Sequence, residues 1–234
     1  NNDALSYALT GKKLVERYKL HELNTIMYHQ LAAVYFQQDE EAHGLYNLQQ
    51  LFSWSKKYND GKGFFWASNE LAVYHADKNQ FDSALYYHQL CLGNIDQAGL
   101  SRIQIAEIKL NGLEILYSSG KYEAALLQAS ILKTELSINS TSYSNLCEIE
   151  AECFEALNMI DSAYAYYKIA VDSFISFSKK AELQKKEALP VQINEALLTS
   201  LWSLCKISAK RNDSKDFFYW MEMTKDNLLR YLIS

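Results

Sequence analysis

Leu113-Glu114-Ile115-Leu116-Tyr117-Ser118-Ser119-Gly120-Lys121-Tyr122-Glu123-Ala124-Ala125 is the stretch that decides the fold. Apolar residues at helical spacing run into a polar turn that ends on a glycine. An aromatic residue and a pair of alanines then open a second helix. The same phrase returns as Leu71-Ala72-Val73-Tyr74 followed by Asn79-Gln80-Phe81-Asp82-Ser83-Ala84. A third copy runs from Ala151 through Phe154 to Asn158-Met159-Ile160-Asp161-Ser162-Ala163. A weaker copy carries Leu31-Ala32 and Tyr35, with Asp39 at the turn and Gly44 where the others have alanine. The small residues Gly44, Ala84, Ala125 and Ala163 follow one another at intervals of 40, 41 and 38, a period typical of helical repeats.

Each part of the phrase has a physical reason. Gly120, Asn79, Asn158 or Asp39 ends the first helix, because glycine and asparagine tolerate the left-handed backbone that closes a helix. Ala125, Ala84 or Ala163 then stands where the second helix crosses the first most closely. Apolar or aromatic residues follow on the same face, such as Tyr167 and Ala170 after Ala163. The chain of 234 residues holds one proline and eight glycines, too few for the turns of a sheet-rich or α/β domain. Long helices joined by short polar turns are the expectation.

The pattern resembles the tetratricopeptide repeat, whose tryptophan, leucine-glycine, tyrosine, glycine, tyrosine and alanine recur over about 34 residues. The resemblance covers about residues 25 to 170 and implies an all-α fold, an α-α superhelix (solenoid) of about five helix pairs with lengthened helices. One solenoid over 1–234 is expected. A helix over 3–20 caps or completes a preceding unit, pairs follow over 21–57, 62–92, 100–134 and 141–188, and a degenerate pair over 191–234 closes the array. Linkers at Asn94 to Ser101 and Ile138 to Ser144 absorb the extra length. The helix after Ala163 runs toward Ala188 before Pro190 breaks it. In the last pair the turn is Arg211-Asn212-Asp213-Ser214, and Phe217 stands where alanine is expected.

In the family the inner groove is lined mainly by the first helix of each unit. The resemblance therefore places Ile26, His29, Gln30 and Phe36 there, then Trp66, Asn69, Glu70 and Asp77. Glu107, Asn111, Glu114 and Tyr117 follow, then Asn145, Glu148, Glu152 and Glu155, and finally Trp202 and Lys206. Glutamates in the middle and aromatic residues toward the ends suit a basic or polar peptide, with Trp66 as an anchor. Exposed glutamates of good helix propensity account for the same residues without any ligand. Clamping of a chaperone's C-terminal carboxylate is argued down. Its basic positions are occupied by Gln30, Glu70, Asn111 and Ile149, preceded by His29, Asn69 and Leu110, and a glutamate repels a carboxylate.

Composition bounds the remaining classes. Hydrophobic residues make up 49% and charged residues 22%, which supports a packed core and argues against disorder. The net charge is −5, and Lys179, Lys180, Lys185 and Lys186 alternate with Glu182 and Glu187 as on a solvated helix face. No nucleic acid is expected to bind this segment directly. No apolar run reaches the length of a membrane span, and no signal peptide is present. The chain begins Asn1-Asn2-Asp3 and stops at Leu232-Ile233-Ser234 within a helical pattern, as expected of a piece of something longer. Membrane contact would come only from segments outside it. The compartment stays open between the bacterial cytoplasm and the periplasm. Cys91, Cys147, Cys153 and Cys205 include no C-x-x-C pair, and their apolar settings predict buried free thiols.

No phosphate loop, dinucleotide fingerprint, nucleophile elbow or H-E-x-x-H is present. His21, His29, His43, His75 and His88 lack metal-ligand spacing along a helix, although His75 and His88 could meet across a pair. Asp39-Glu40-Glu41 reads as acidic residues favouring a helix start, and Tyr164, Tyr166 and Tyr167 as packing. The triplets at Asn139 and Asn212 match glycosylation sequons but carry no weight outside a secretory context. No enzyme activity, metal or cofactor is expected. The reading is a protein- or peptide-binding scaffold. It resembles the repeat regions of bacterial regulators that precede a membrane helix and a DNA-binding or kinase module. The alternative is a structural repeat protein that self-associates or bridges an assembly.

Overall fold

The computed structural model describes residues 2–20, 23–138, 140–183 and 191–233. Among them the chain forms eleven α-helices and no strand. They are α1 (Asn2–Tyr18), α2 (Asn24–Gln37), α3 (Glu41–Tyr58), α4 (Gly61–Asp77), α5 (Phe81–Leu92), α6 (Arg102–Ser118), α7 (Tyr122–Leu132), α8 (Thr141–Ala156), α9 (Ile160–Leu183), α10 (Val191–Lys210) and α11 (Ser214–Ile233). Among the described residues, no helix is long and apolar enough to cross a membrane. Where the sequence reads as one array, packing divides the chain into two compact units, Asn1–Ile108 and Lys109–Ser234.

Five turns share one geometry. The residues Asp39, Asn79, Gly120, Asn158 and Asn212 all adopt positive φ, between 56° and 75°. At each, the turn residue's N–H bonds the carbonyl three residues back and the next N–H reaches five residues back. At Asn79 these bonds are Asn79 to Ala76 at 2.9 Å and Gln80 to His75 at 2.8 Å; at Asn158 they are Asn158 to Glu155 at 2.9 Å and Met159 to Phe154 at 2.8 Å. This double closure satisfies carbonyls that a helix end leaves unpaired. The bonds then restart identically, with Gly44, Ala84, Ala125, Ala163 and Phe217 each bonding the carbonyl four residues back. Gly120→Ala is therefore expected to lower stability by about 1 kcal/mol, because alanine resists positive φ. Asn158→Gly should be neutral or mildly stabilising. Thermal melts read both, and an unchanged Gly120→Ala would contradict the turn's role.

In the first unit α1 packs on α2, α2 on α3, α3 on α4 and α4 on α5. Leu31, Leu48, Leu51, Phe65, Leu71 and Ala84 are almost wholly buried there. The glycine of the weakest copy has a cause. A methyl group at Gly44 would fall 2.8 Å from the Phe36 ring, which fills the space an alanine takes elsewhere. In the second unit α7 packs on α8, α8 on α9, α9 on α10 and α10 on α11. Ala151, Ala163, Tyr167, Val171, Leu201, Leu204, Ile207 and Trp220 form one cluster, and Phe217 packs against its edge.

Two details differ from the sequence reading. The linker expected at Ile138 to Ser144 lies earlier, because Ser140 caps α8, its hydroxyl accepting from the Tyr143 N–H at 3.1 Å. Thr141 to Ser144 are therefore helical. Asn94 to Ser101 holds a short 3-10 turn, Ile95–Ala98, closed by Gly99 at φ 66°. The described part of α9 ends at Leu183, so Lys185, Lys186, Glu187, Ala188 and Pro190 fall outside the described residues, as do His21 and Asn139. The side chains of Lys179, Lys180 and Glu182 fall outside them too.

Candidate functional site

The first unit brings together four of the residues that the sequence placed in a groove. His29 on α2 meets Trp66 on α4, with ring centroids 6.0 Å apart, and Trp66 packs edge-on against the buried Phe65. Glu70 follows Trp66 by one helical turn, half-buried. Burial lifts its carboxyl above the ordinary range, while His29 pulls it back. Asn69 faces the Cys91 thiol at 4.0 Å. Phe36 is placed otherwise. Its ring lies against Gly44 and 6.0 Å from Tyr74, so it packs the interior of a helix pair. Glu107 is exposed on the first turns of α6.

The second unit concentrates charge. Glu148, Glu152 and Glu155 lie on one face of α8 by their spacing, and Glu114 of α6 acts on the first two of them. Burial pushes Glu148 up to about 8, helped by Glu152 and then opposed by a hydrogen bond from Ser200; Glu114 adds to the rise. Glu152 is pushed to about 7 by burial, then by Glu114 and Glu155, and Lys206 opposes the shift. Glu114 reaches solvent, yet desolvation still raises its carboxyl. Tyr117 is pushed to about 12, first by burial and then by Glu152. Glu155 accepts from the Tyr167 hydroxyl at 3.2 Å and lies 3.9 Å from the Lys210 ammonium.

Three partners of this cluster were missed from sequence: Ser200, Ser203 and Tyr167. Ser203 hydrogen-bonds Tyr167, and all three are buried. The signal was present, since Ser200 and Ser203 interrupt the apolar series Leu197, Leu201 and Leu204. A serine in a core stripe needs a polar partner. Trp202, on the same helix, is 59% exposed, and Lys206 follows it one turn later on the same face. Asn111 is half-buried on α6.

The other chemical candidates resolve into packing. His75 bonds Gln80 at 2.6 Å and stacks on Tyr87 at 5.3 Å, whereas His88 is buried and held below the usual imidazole range by desolvation. Glu40 pairs with His43 at 2.8 Å, and Glu41 accepts from Tyr74 and Lys78, each at 2.7 Å. Tyr164 bonds Asp216 and accepts from the Trp220 indole at 3.1 Å, and the Lys133 ammonium lies 4.4 Å from the Tyr166 ring centre. All four cysteines are buried, and burial pushes Cys91 and Cys153 to about 12. Among the described residues no group of three or more His, Cys, Asp or Glu is placed to hold a metal ion.

No protein-family model matches the chain, and no curated protein matches it. Solved structures do. The crystal structure of BtubC (BKLC) from P. vanneervenii is similar with a TM-score of 0.75, covering 98% of this chain and 91% of that one at 13% identity. A likeness at that identity speaks of fold alone. The chain is all-α, of the α-α superhelix class built from successive helix pairs.

Proposed function

We propose that this chain is a non-catalytic binding module, a tetratricopeptide-like array that takes a basic segment of another protein. The observation that carries the reading is the desolvated carboxylate cluster of Glu114, Glu148 and Glu152, with Trp202 exposed on α10, the helix that brings Ser200 to Glu148. At neutral pH Glu148, pushed up to about 8, and in part Glu152, pushed to about 7, hold protons that an ordinary surface glutamate has lost. An arginine or lysine entering the cluster favours the charged carboxylates and displaces those protons, so binding energy is greatest where desolvation is greatest. Aromatic residues of the ligand would pack on Trp202. The module would then serve as the sensory or regulatory interaction part of a larger bacterial signalling or transcription-regulating protein.

Fluorescence anisotropy with short labelled peptides tests this. A peptide alternating arginine with aromatic residues should bind, and its acidic counterpart should not. Glu114→Lys, at a solvent-reaching position, should weaken binding at least about tenfold. Glu123→Lys, on exposed α7 surface, should leave it unchanged. Equal affinity for both peptides, or for both variants, would place the ligand elsewhere.

A further inference from the structure

Helix α1 shows the complementary chemistry. Its inner side packs on α2, with Val15 buried and no room for a side chain at Gly11, where a methyl group would meet the Met27 sulfur at 2.9 Å. The stripe that holds Gly11 also carries Tyr7, Leu14 and Tyr18, which flank the contact with α2 and are exposed by 78%, 46% and 61%. Their spacing of seven and four lines them up along one edge of the helix. Lys13 and Arg17 are exposed beside that line, and the Arg17 guanidinium lies 5.7 Å from the Tyr18 ring centre. Lys12, Lys13, Arg17 and Lys19 fall within eight residues that hold one acidic residue, Glu16, in a chain of net charge −5. Aromatic and aliphatic side chains edged with cations, left uncovered on a helix, mark a docking surface.

We infer that the occupant of this face is a second copy of the chain, which presents its Glu114, Glu148 and Glu152 cluster and Trp202 to α1. The inference rests on the proposed binding of a basic segment and names that segment as α1. Charge complementarity selects the partner: the cationic, aromatic helix and the desolvated carboxylates are carried by the same chain, so every copy brings both halves. Lys13 and Arg17 supply cations to the cluster. Tyr7, Leu14 and Tyr18 supply apolar surface to Trp202. The two faces differ, so the contact is heterologous and joins copies head to tail.

Sedimentation of the purified chain from low-micromolar to near-millimolar concentration tests the inference. Mass should rise with concentration at low salt and fall back toward the monomer at high salt. Two double variants separate the halves: Lys13→Ala with Arg17→Ala, and Glu114→Gln with Glu152→Gln. Each alone, after its helical signal is confirmed, should self-associate at least about a hundredfold more weakly. Mixed, they should form a 1:1 dimer that grows no further, since one intact basic face meets one intact acidic face. A wild-type chain that stays monomeric throughout overturns the inference. If that monomer still binds the arginine-aromatic peptide through Glu114, the binding reading survives without it; if it binds neither, both fail. Association that persists in both variants overturns the assignment of faces.

Discussion

The second unit should melt at a lower temperature at pH 8 than at pH 5, and Glu148→Gln should remove most of the difference. The folded pKa of Glu148 is raised to about 8 and that of Glu152 to about 7, above the unfolded carboxylate value. A raised carboxyl contributes stability that is fully present below its unfolded pKa and lost as pH rises through the folded one. The loss therefore runs from about pH 4.5 to about pH 8. Allowing for the solvent that still reaches this face, it amounts to about 2 kcal/mol, several degrees in melting temperature. Glutamine keeps the partner for Ser200 and carries no charge, so the variant gains most at pH 8. His88 acts in the first unit with the opposite sign, since its lowered pKa costs stability as pH falls. Hydrogen exchange of the α8 amides isolates the second unit. Protection that rises with pH over this interval would contradict the assignment.

Enlarging the small residue of a complete repeat should cost nearly as much. Ala84 and Ala163 have no exposed surface and stand five residues beyond the left-handed residues Asn79 and Asn158. Ala84→Leu or Ala163→Leu forces the two helices of a pair apart or drives side chains off their rotamers, with a loss of about 2–3 kcal/mol. Phe217 occupies the same register after Asn212 and is half-buried against the cluster around Trp220. There the opposite change destabilises: Phe217→Ala leaves a gap and should cost about 2 kcal/mol. Denaturant melts of the three variants measure this directly. Tolerance of leucine at Ala84 would mean that the repeated small residue does not set the helix approach.

The helices and turns were legible because the deciding signals are local. Asp39, Asn79, Gly120, Asn158 and Asn212 sit in polar stretches between apolar runs, and their backbone preferences act whatever lies around them. The glycine at position 44 was visible as a departure from alanine, but its cause was not, since Phe36 meets it only after α2 and α3 pack. For the same reason Phe36 was expected in a groove and lies within a pair. The pair expected over 141–188 begins where α8 does, but the linker was drawn on to Ser144, because Asn139, Ser140, Thr141, Ser142 and Ser144 offer several equally good caps. Of the site, Glu114, Glu148 and Glu152 were named through the groove positions that the tetratricopeptide resemblance implies. Their desolvation could not be read from it, because it depends on α10 and on Ser200, nearly ninety positions from Glu114 in the chain.

The most direct measurement is calorimetric titration of the arginine-aromatic peptide into the chain at pH 7, in two buffers of different protonation enthalpy. Carboxyls that hold protons at rest and give them up to a cation must release them to the buffer. The observed heat should therefore differ between the two buffers by a fraction of a proton to about one proton per peptide bound, and the difference should shrink in Glu148→Gln. Binding with the same heat in both buffers would show that the cluster is charged beforehand or untouched. In either case Glu114, Glu148 and Glu152 would not be the site.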